Sequence, residues 1–146
     1  MKLSQRGVRL IQDFEGFRSG PYQDSVGVWT VGYGSTKGVG PHTAPLNRQQ
    51  ASERLRSEVD AEYGAAVNAL HLPLNQCQFD ALVSFVYNLG PGALGPDTGI
   101  GRELRAHHWQ RAADELLRWD KAGGRALPGL TRRRRAERKL FLTPPP

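Results

Sequence analysis

Between residues 4 and 34 the hydrophobic period changes from helical to alternating, and this switch limits the fold more than any other feature of the chain. Ser4 reads as an N-cap, and Val8, Ile11 and Glu15 follow at i, i+3 and i+7. A helix ending near Glu15 therefore carries that carboxylate on a face with two aliphatic side chains, and Gly16 reads as its stop. From Phe17 to Tyr33 the pattern is that of a small antiparallel sheet, with Gly20-Pro21 and the Gly27 region as its turns. Alternation puts Val26, Val28 and Thr30 on one face and Trp29, Val31 and Tyr33 on the other. A helix feeding one small sheet, with helical periods downstream, predicts an α+β class.

Residues 35–46, rich in Ser, Thr, Gly and Pro, read as a loop. Asn47 opens a helical stretch to about Ala69, with Ala51, Leu55, Val59, Ala66 and Leu70 as its apolar stripe, Arg54 and Glu58 as an i,i+4 pair, and Pro73 as its end. Asn75 caps the next helix, where Leu74, Cys77, Ala81, Leu82, Phe85, Val86 and Leu89 recur at three and four and predict the core. Glycine and proline make residues 91–101 a loop, and Leu104, Trp109, Ala112, Ala113, Leu116 and Leu117 predict two short amphipathic helices. If Leu130 to Phe141 is a helix, Leu130, Arg134, Glu137 and Phe141 share a stripe. Arg134 then faces inward, where a guanidinium needs an anionic or carbonyl partner; Glu137 and Glu15 are the candidates.

Chemistry enters through two carboxylates and a hydroxyl. Glu15 stands at the negative end of a helix dipole among apolar neighbours, Phe14 and Phe17 included, a setting that suits a proton donor. Asp24 lies between turn and strand in a polar setting that suits a general base or an electrostatic stabiliser, and Thr30 supplies a hydroxyl nearby. Two acids in unlike surroundings are what glycosidic-bond hydrolysis requires. Taken singly each residue has a plainer reading, as a surface Glu, a turn-forming Asp and an ordinary strand Thr; the combination is what points to chemistry.

The pattern Glu-Gly-Phe-x4-Tyr-x-Asp-x2-Gly-x-Trp-Thr-x-Gly-Tyr-Gly, running from Glu15 to Gly34, resembles the catalytic segment of the tailed-phage lysozymes of glycoside hydrolase family 24. Residues Gln78 to Gly90 resemble that family's central core helix, and Leu127 to Glu137 its closing Gly-Leu-x-x-Arg-Arg-x-x-Glu helix. The resemblance implies one lysozyme-like domain over residues 1–146, mostly helical. Its parts would be a small β lobe (about 16–46), a linking helix (about 47–70) and a helical lobe (about 71–142, with the N-terminal helix), with a cleft between the lobes. It implies an endolysin that cuts the β-1,4 bond between N-acetylmuramic acid and N-acetylglucosamine in peptidoglycan, with inversion. Glu15 would protonate the leaving oxygen, Asp24 and Thr30 would hold the attacking water, Arg134 would orient Glu15, and Tyr33, Gly34, Tyr87 and Asn88 would contact substrate. A lytic transglycosylase using Glu15 alone and a non-catalytic glycan-binding protein remain as alternatives. The chain departs from the family at Thr98-Gly99-Ile100-Gly101, where two glycines weaken a helix start.

The net charge of +6 is local: residues 132–139 hold six basic residues and one acid, leaving +1 elsewhere. Attraction to an anionic polymer and a solvated helix face are both readings of that run; no recognised motif supports nucleic acid as a partner. The single Cys77 rules out an intramolecular disulfide, fits a reducing cytoplasm and reads as a small core residue. His107 and His108 diverge by about 100° on a helix, and His42 and His71 are isolated, so neither a metal nor a cofactor is expected. No apolar run approaches a membrane span and the N-terminus lacks a signal peptide's apolar run, so stable membrane insertion is not expected. The resemblance then implies a monomer held in the host cytoplasm until a holin opens the inner membrane, and acting on periplasmic peptidoglycan afterwards.

Overall fold

In a computed structural model describing residues 1–146, the first helix, α1 (Gln5–Glu15), begins as expected. Ser4 Oγ accepts from the Gly7 N–H at 3.3 Å and in turn donates to the buried Asp80, while Gly16, at φ 71°, closes the helix by donating to the Gln12 carbonyl. Val8 and Ile11 are fully buried, so the helix end that carries Glu15 is fixed by its own apolar face.

Strands β1 (Arg18–Gln23) and β2 (Trp29–Gly32) pair antiparallel with Tyr22 opposite Thr30 and Gln23 opposite Trp29. Only one of the two expected turns exists. Gly27, at φ 84°, turns the hairpin, whereas Gly20 and Pro21 lie inside β1, where the register shifts between Arg18 and Tyr22. Pro21 has no N–H to give the ladder, so the strand bulges there instead of reversing. Burial does not alternate as expected: Thr30, Val31, Gly32 and Tyr33 are all buried, and Val26 has left the sheet for the turn and is 80% exposed.

The loop over residues 35–46 leads to α2 (Arg48–Glu58), which Asn47 and Gln50 open with a capping box. The expected Arg54 to Glu58 pair forms at 2.7 Å. The stripe does not continue as expected. Residues Val59–Gly64 form a π-helical segment before α3 (Ala65–Asn68), and the wider turn shifts the phase: Gly64 and Val67 are buried, whereas Ala66 and Leu70 are only partly covered.

Helix α4 (Gln76–Leu89), capped by Asn75, is buried on every side from Phe79 to Val86, and α1 packs against it. Cys77 is one of its core residues. A 3-10 turn (Pro91–Leu94) follows, and α5 (Gly99–Arg105) starts inside the stretch expected to be loop, with Thr98 as N-cap. Packing demands the second glycine: a Cβ on Gly101 would lie 1.9 Å from the Gly95 carbonyl oxygen, whereas one on Gly99 would meet only the carboxylate end of the Glu115 side chain, at 2.7 Å. After α6 (Trp109–Leu116), a hairpin of β3 (Lys121–Ala122) and β4 (Arg125–Ala126) turns at Gly123-Gly124, both at positive φ. It delivers the chain to α7 (Pro128–Phe141), which has Pro128 in its first turn and packs along α4. No helix is long and apolar enough to cross a membrane.

Candidate active site

Glu15 is the last residue of α1, and each of its carboxylate oxygens meets a different element. Oε1 accepts from Arg133 Nη1 of α7 at 2.8 Å. Oε2 faces Gly34, where a Cβ would lie only 2.8 Å away and 3.3 Å from the Tyr87 hydroxyl. Gly34, at φ 84°, is thus required both by its backbone and by the close approach of the acid. The Tyr87 hydroxyl donates to the Tyr33 carbonyl at 3.0 Å, tying α4 to the segment after β2.

Arg133, not Arg134, reaches Glu15. The inward phase expected for Arg134 is correct, since it is fully buried, but its partners are Glu137 Oε1 at 2.7 Å and Asn88 Oδ1 at 2.9 Å. The helix buries a face wide enough to take its neighbour too. Arg133 bonds Glu137 Oε2 at 3.3 Å and the Ser84 carbonyl at 3.1 Å, and its remaining nitrogen points at the end of α1. Glu137, fully buried, joins both arginines and accepts from Ser84 Oγ at 2.6 Å. Burial pushes its carboxyl up, opposed first by Arg134 and then by Arg133, and burial pulls Arg134 down, opposed by Glu137. The basic run is therefore partly internal: two of its cations belong to this network, Arg138 pairs with Asp114 at 2.8 Å, and Arg132, Arg135 and Lys139 face solvent.

Asp24 follows β1 and shapes the hairpin turn. Its Oδ1 accepts from the N–H groups of Val26 and Val28, each at 2.9 Å, while Oδ2 accepts no protein hydrogen bond. The Val28 carbonyl accepts from both the Asp24 N–H at 2.9 Å and Thr30 Oγ1 at 3.0 Å. Asp24 and the buried Thr30 are thus coupled through one residue.

Two cavities lie beside Glu15, and neither Asp24 nor Thr30 lines them. One of about 650 Å³ is lined by Gly34, Lys37, Glu58, Glu62, Tyr63 and Tyr87; the other, of about 570 Å³, by Phe14, Glu15, Asn88, Leu130, Arg132 and Arg133. Glu15 lines the second and touches Gly34 of the first, so the carboxylate stands between them. Of the expected substrate contacts, Gly34 and Tyr87 line the first cavity and Asn88 the second, though the Asn88 amide oxygen is already engaged by Arg134. The Tyr33 ring is turned away into the core, 5.3 Å from the Phe17 ring, so that only its backbone meets the site. The sequence reading missed Arg133, whose signal was its i,i+4 spacing to Glu137, and Tyr63, which the π-helical shift concealed. Burial, reinforced by Glu15, raises the Tyr87 phenol far above its ordinary range; burial followed by Glu62, Glu58 and Glu15 raises Tyr63. No three His, Cys, Asp or Glu side chains converge in a way that could hold a metal ion.

A family model described as Phage lysozyme matches residues 12–137. The endolysin of Salmonella phage P22 is 36% identical over 147 residues, covering 98% of this chain and 99% of its own. The endolysin of Bacillus phage B103 is 39% identical over 145 residues, covering 98% of this chain; the chain spans only 55% of that relative's length. Among solved structures, the muramidase domain of SpmX from Asticaccaulis excentricus superimposes with a TM-score of 0.88 at 38% identity, over 98% of this chain and 99% of that one.

Proposed function

This chain belongs to the phage lysozyme family and has its fold, and on that premise we propose that it is an endolysin hydrolysing the β-1,4 bond between N-acetylmuramic acid and N-acetylglucosamine of peptidoglycan. The observation that carries the reading is Glu15 standing between two cavities, with Arg133 on one oxygen and the bare backbone of Gly34 against the other. Glu15 is the proton donor to the leaving oxygen.

Asp24 and Thr30 are the water-holding pair. Thr30 Oγ1 donates its proton to the Val28 carbonyl, so the same oxygen is left to accept from water, and Asp24 Oδ2 is a second acceptor. A water giving both hydrogens to these two oxygens directs a lone pair at the anomeric carbon; as its oxygen bonds there and the bond to the leaving oxygen breaks, Asp24 stabilises the oxocarbenium charge and takes the proton the water sheds. Attack on the face opposite the leaving group gives inversion. A transglycosylase has no use for that pair. Arg133 positions the acid, and Glu137 and Ser84 position Arg133. Acting as a monomer and reaching the wall from the host cytoplasm once a holin has opened the inner membrane belong to the same proposal.

Glu15→Gln tests it. The expected result is loss of peptidoglycan clearing by about 10³-fold or more, with the melting temperature nearly unchanged. Substantial residual clearing by a folded variant would reject Glu15 as the acid.

A further inference from the structure

The phase break in the second long helical stretch falls where that stretch borders the larger cavity. In a regular helix the buried positions after Leu55 and Val59 would continue at three and four; here the next ones are Gly64 and Val67, five and three residues on. The π-helical segment sets Gly64 against the core, where a Cβ would lie 3.5 Å from Phe79 Cζ, and so carries Tyr63 to the edge of the buried stripe. Tyr63 is half-buried and lines the cavity with Gly34 and Tyr87. Its ring meets Tyr87 edge-on at 5.0 Å, and Tyr87 is itself fastened by its hydroxyl to the Tyr33 carbonyl. The pair is consequently a rigid aromatic corner beside Glu15, with the polar side chains of Thr36, Ser57, Glu58 and Glu62 around it. A wide turn gives up regular helical hydrogen bonding, and such turns occur frequently at functional sites.

We propose that Tyr63 is a substrate-binding and specificity-determining residue, supplying, with Tyr87, an aromatic wall for the apolar face of one N-acetylhexosamine ring in the 650 Å³ cavity, while the polar groups around it take the ring's hydroxyls. A flat aromatic face matches the apolar C–H face of a sugar, and the polar side chains beside it match the sugar's polar rim. The proposal rests on the glycan-cleaving reading of Glu15 and adds a binding role to a residue outside the acid, the water-holding pair and Arg133.

The test is steady-state cleavage of purified sacculi by wild type, Tyr63→Ala, Tyr63→Phe and Tyr63→Leu, with melting temperatures, and sacculus binding by Glu15→Gln with and without Tyr63→Ala. An aromatic contact of about 0.5 to 1.5 kcal/mol converts to roughly a 2- to 10-fold change. KM is expected to rise by that factor in Tyr63→Ala and in Tyr63→Leu, which keeps the volume but removes the ring, with kcat within about twofold, and Tyr63→Phe should stay near wild type. Binding by the inactive double variant should weaken by the same factor. A lowered melting temperature and lowered kcat with KM and sacculus binding unchanged would overturn the proposal, leaving Tyr63 as packing for Tyr87. Absence of turnover in wild type would instead remove the proposed function itself.

Discussion

Gly34→Ala separates backbone strain from interference with the acid. Gly34 sits at φ 84°, and a side chain there costs about 1 to 2 kcal/mol in the left-handed region, a melting-temperature drop of roughly 2 to 8 °C for a chain of this size. The added methyl also lies 2.8 Å from Glu15 Oε2, against an ordinary carbon contact of about 3.5 Å, so the carboxylate must retreat by roughly 0.7 Å. A displacement of that size disturbs the 2.8 Å bond to Arg133, and misplacing a reacting group by about 1 Å costs on the order of 10²-fold in rate. Gly38→Ala is the control: φ is 69° and nothing lies within 4 Å, so the strain is similar and the acid is untouched. Clearing of purified sacculi, measured beside thermal unfolding, should show both variants modestly destabilised and only Gly34→Ala about 10²-fold slower. Equal rates in the two variants would refute the packing of Glu15 against Gly34 as a determinant of activity.

Arg133→Met and Arg134→Met should both lose about 3 to 5 kcal/mol, read from denaturant midpoints, because each leaves the buried Glu137 with one cation fewer. Per folded molecule, only Arg133→Met should lose about 10-fold or more in rate, since it alone aims Glu15; the reverse outcome would reinstate Arg134. Gly101→Ala, with its methyl driven to 1.9 Å from a backbone oxygen, should cost about 3 kcal/mol or more, and a normal urea midpoint would contradict the packing of α5 on the 3-10 turn. Tyr87 gives an alkaline limb to stability. Its folded phenol holds a proton that the unfolded chain releases from pH 10.0 upward, so stability should fall as pH rises through that range, by about 1.4 kcal/mol per pH unit for this group. Urea midpoints across the alkaline range should decline less steeply in Tyr87→Phe, and an unchanged slope would contradict the burial of the phenol.

What the sequence disclosed was mostly local. The caps at Ser4, Asn47 and Asn75, the stop at Gly16 and the turn at Gly27 are each set by a few adjacent residues, and all form as expected. The failures occur where two readings share one local signal. Gly20-Pro21 fits a turn and a bulge equally well, and the ladder of β2 decides for the bulge. Gly99 and Gly101 look like helix breakers until the carbonyl of Gly95 is placed against the second of them. Helical phase distinguishes inward from outward but not which of two adjacent arginines meets a third helix, so Arg133 was overlooked for Arg134. The π-helical phase shift leaves no periodic trace, and it hid Tyr63. Of the proposed site, Glu15, Asp24 and Thr30 stand out in the chain as a spaced set, whereas the groups that touch them, Arg133, Val28 and the glycine against the acid, depend on contacts between distant or folded-back segments.

The most direct measurement is the anomeric configuration of the reducing end at the instant of cleavage, followed by NMR on glycan strands digested with wild-type protein. If Glu15 protonates the leaving oxygen while Asp24 and Thr30 deliver water from the opposite face, the first product is the α anomer of N-acetylmuramic acid at a hydrated reducing end. A β anomer would make Asp24 a nucleophile, and a 1,6-anhydro end would show that no water is delivered at all; either result contradicts the water-holding role on which the mechanism depends.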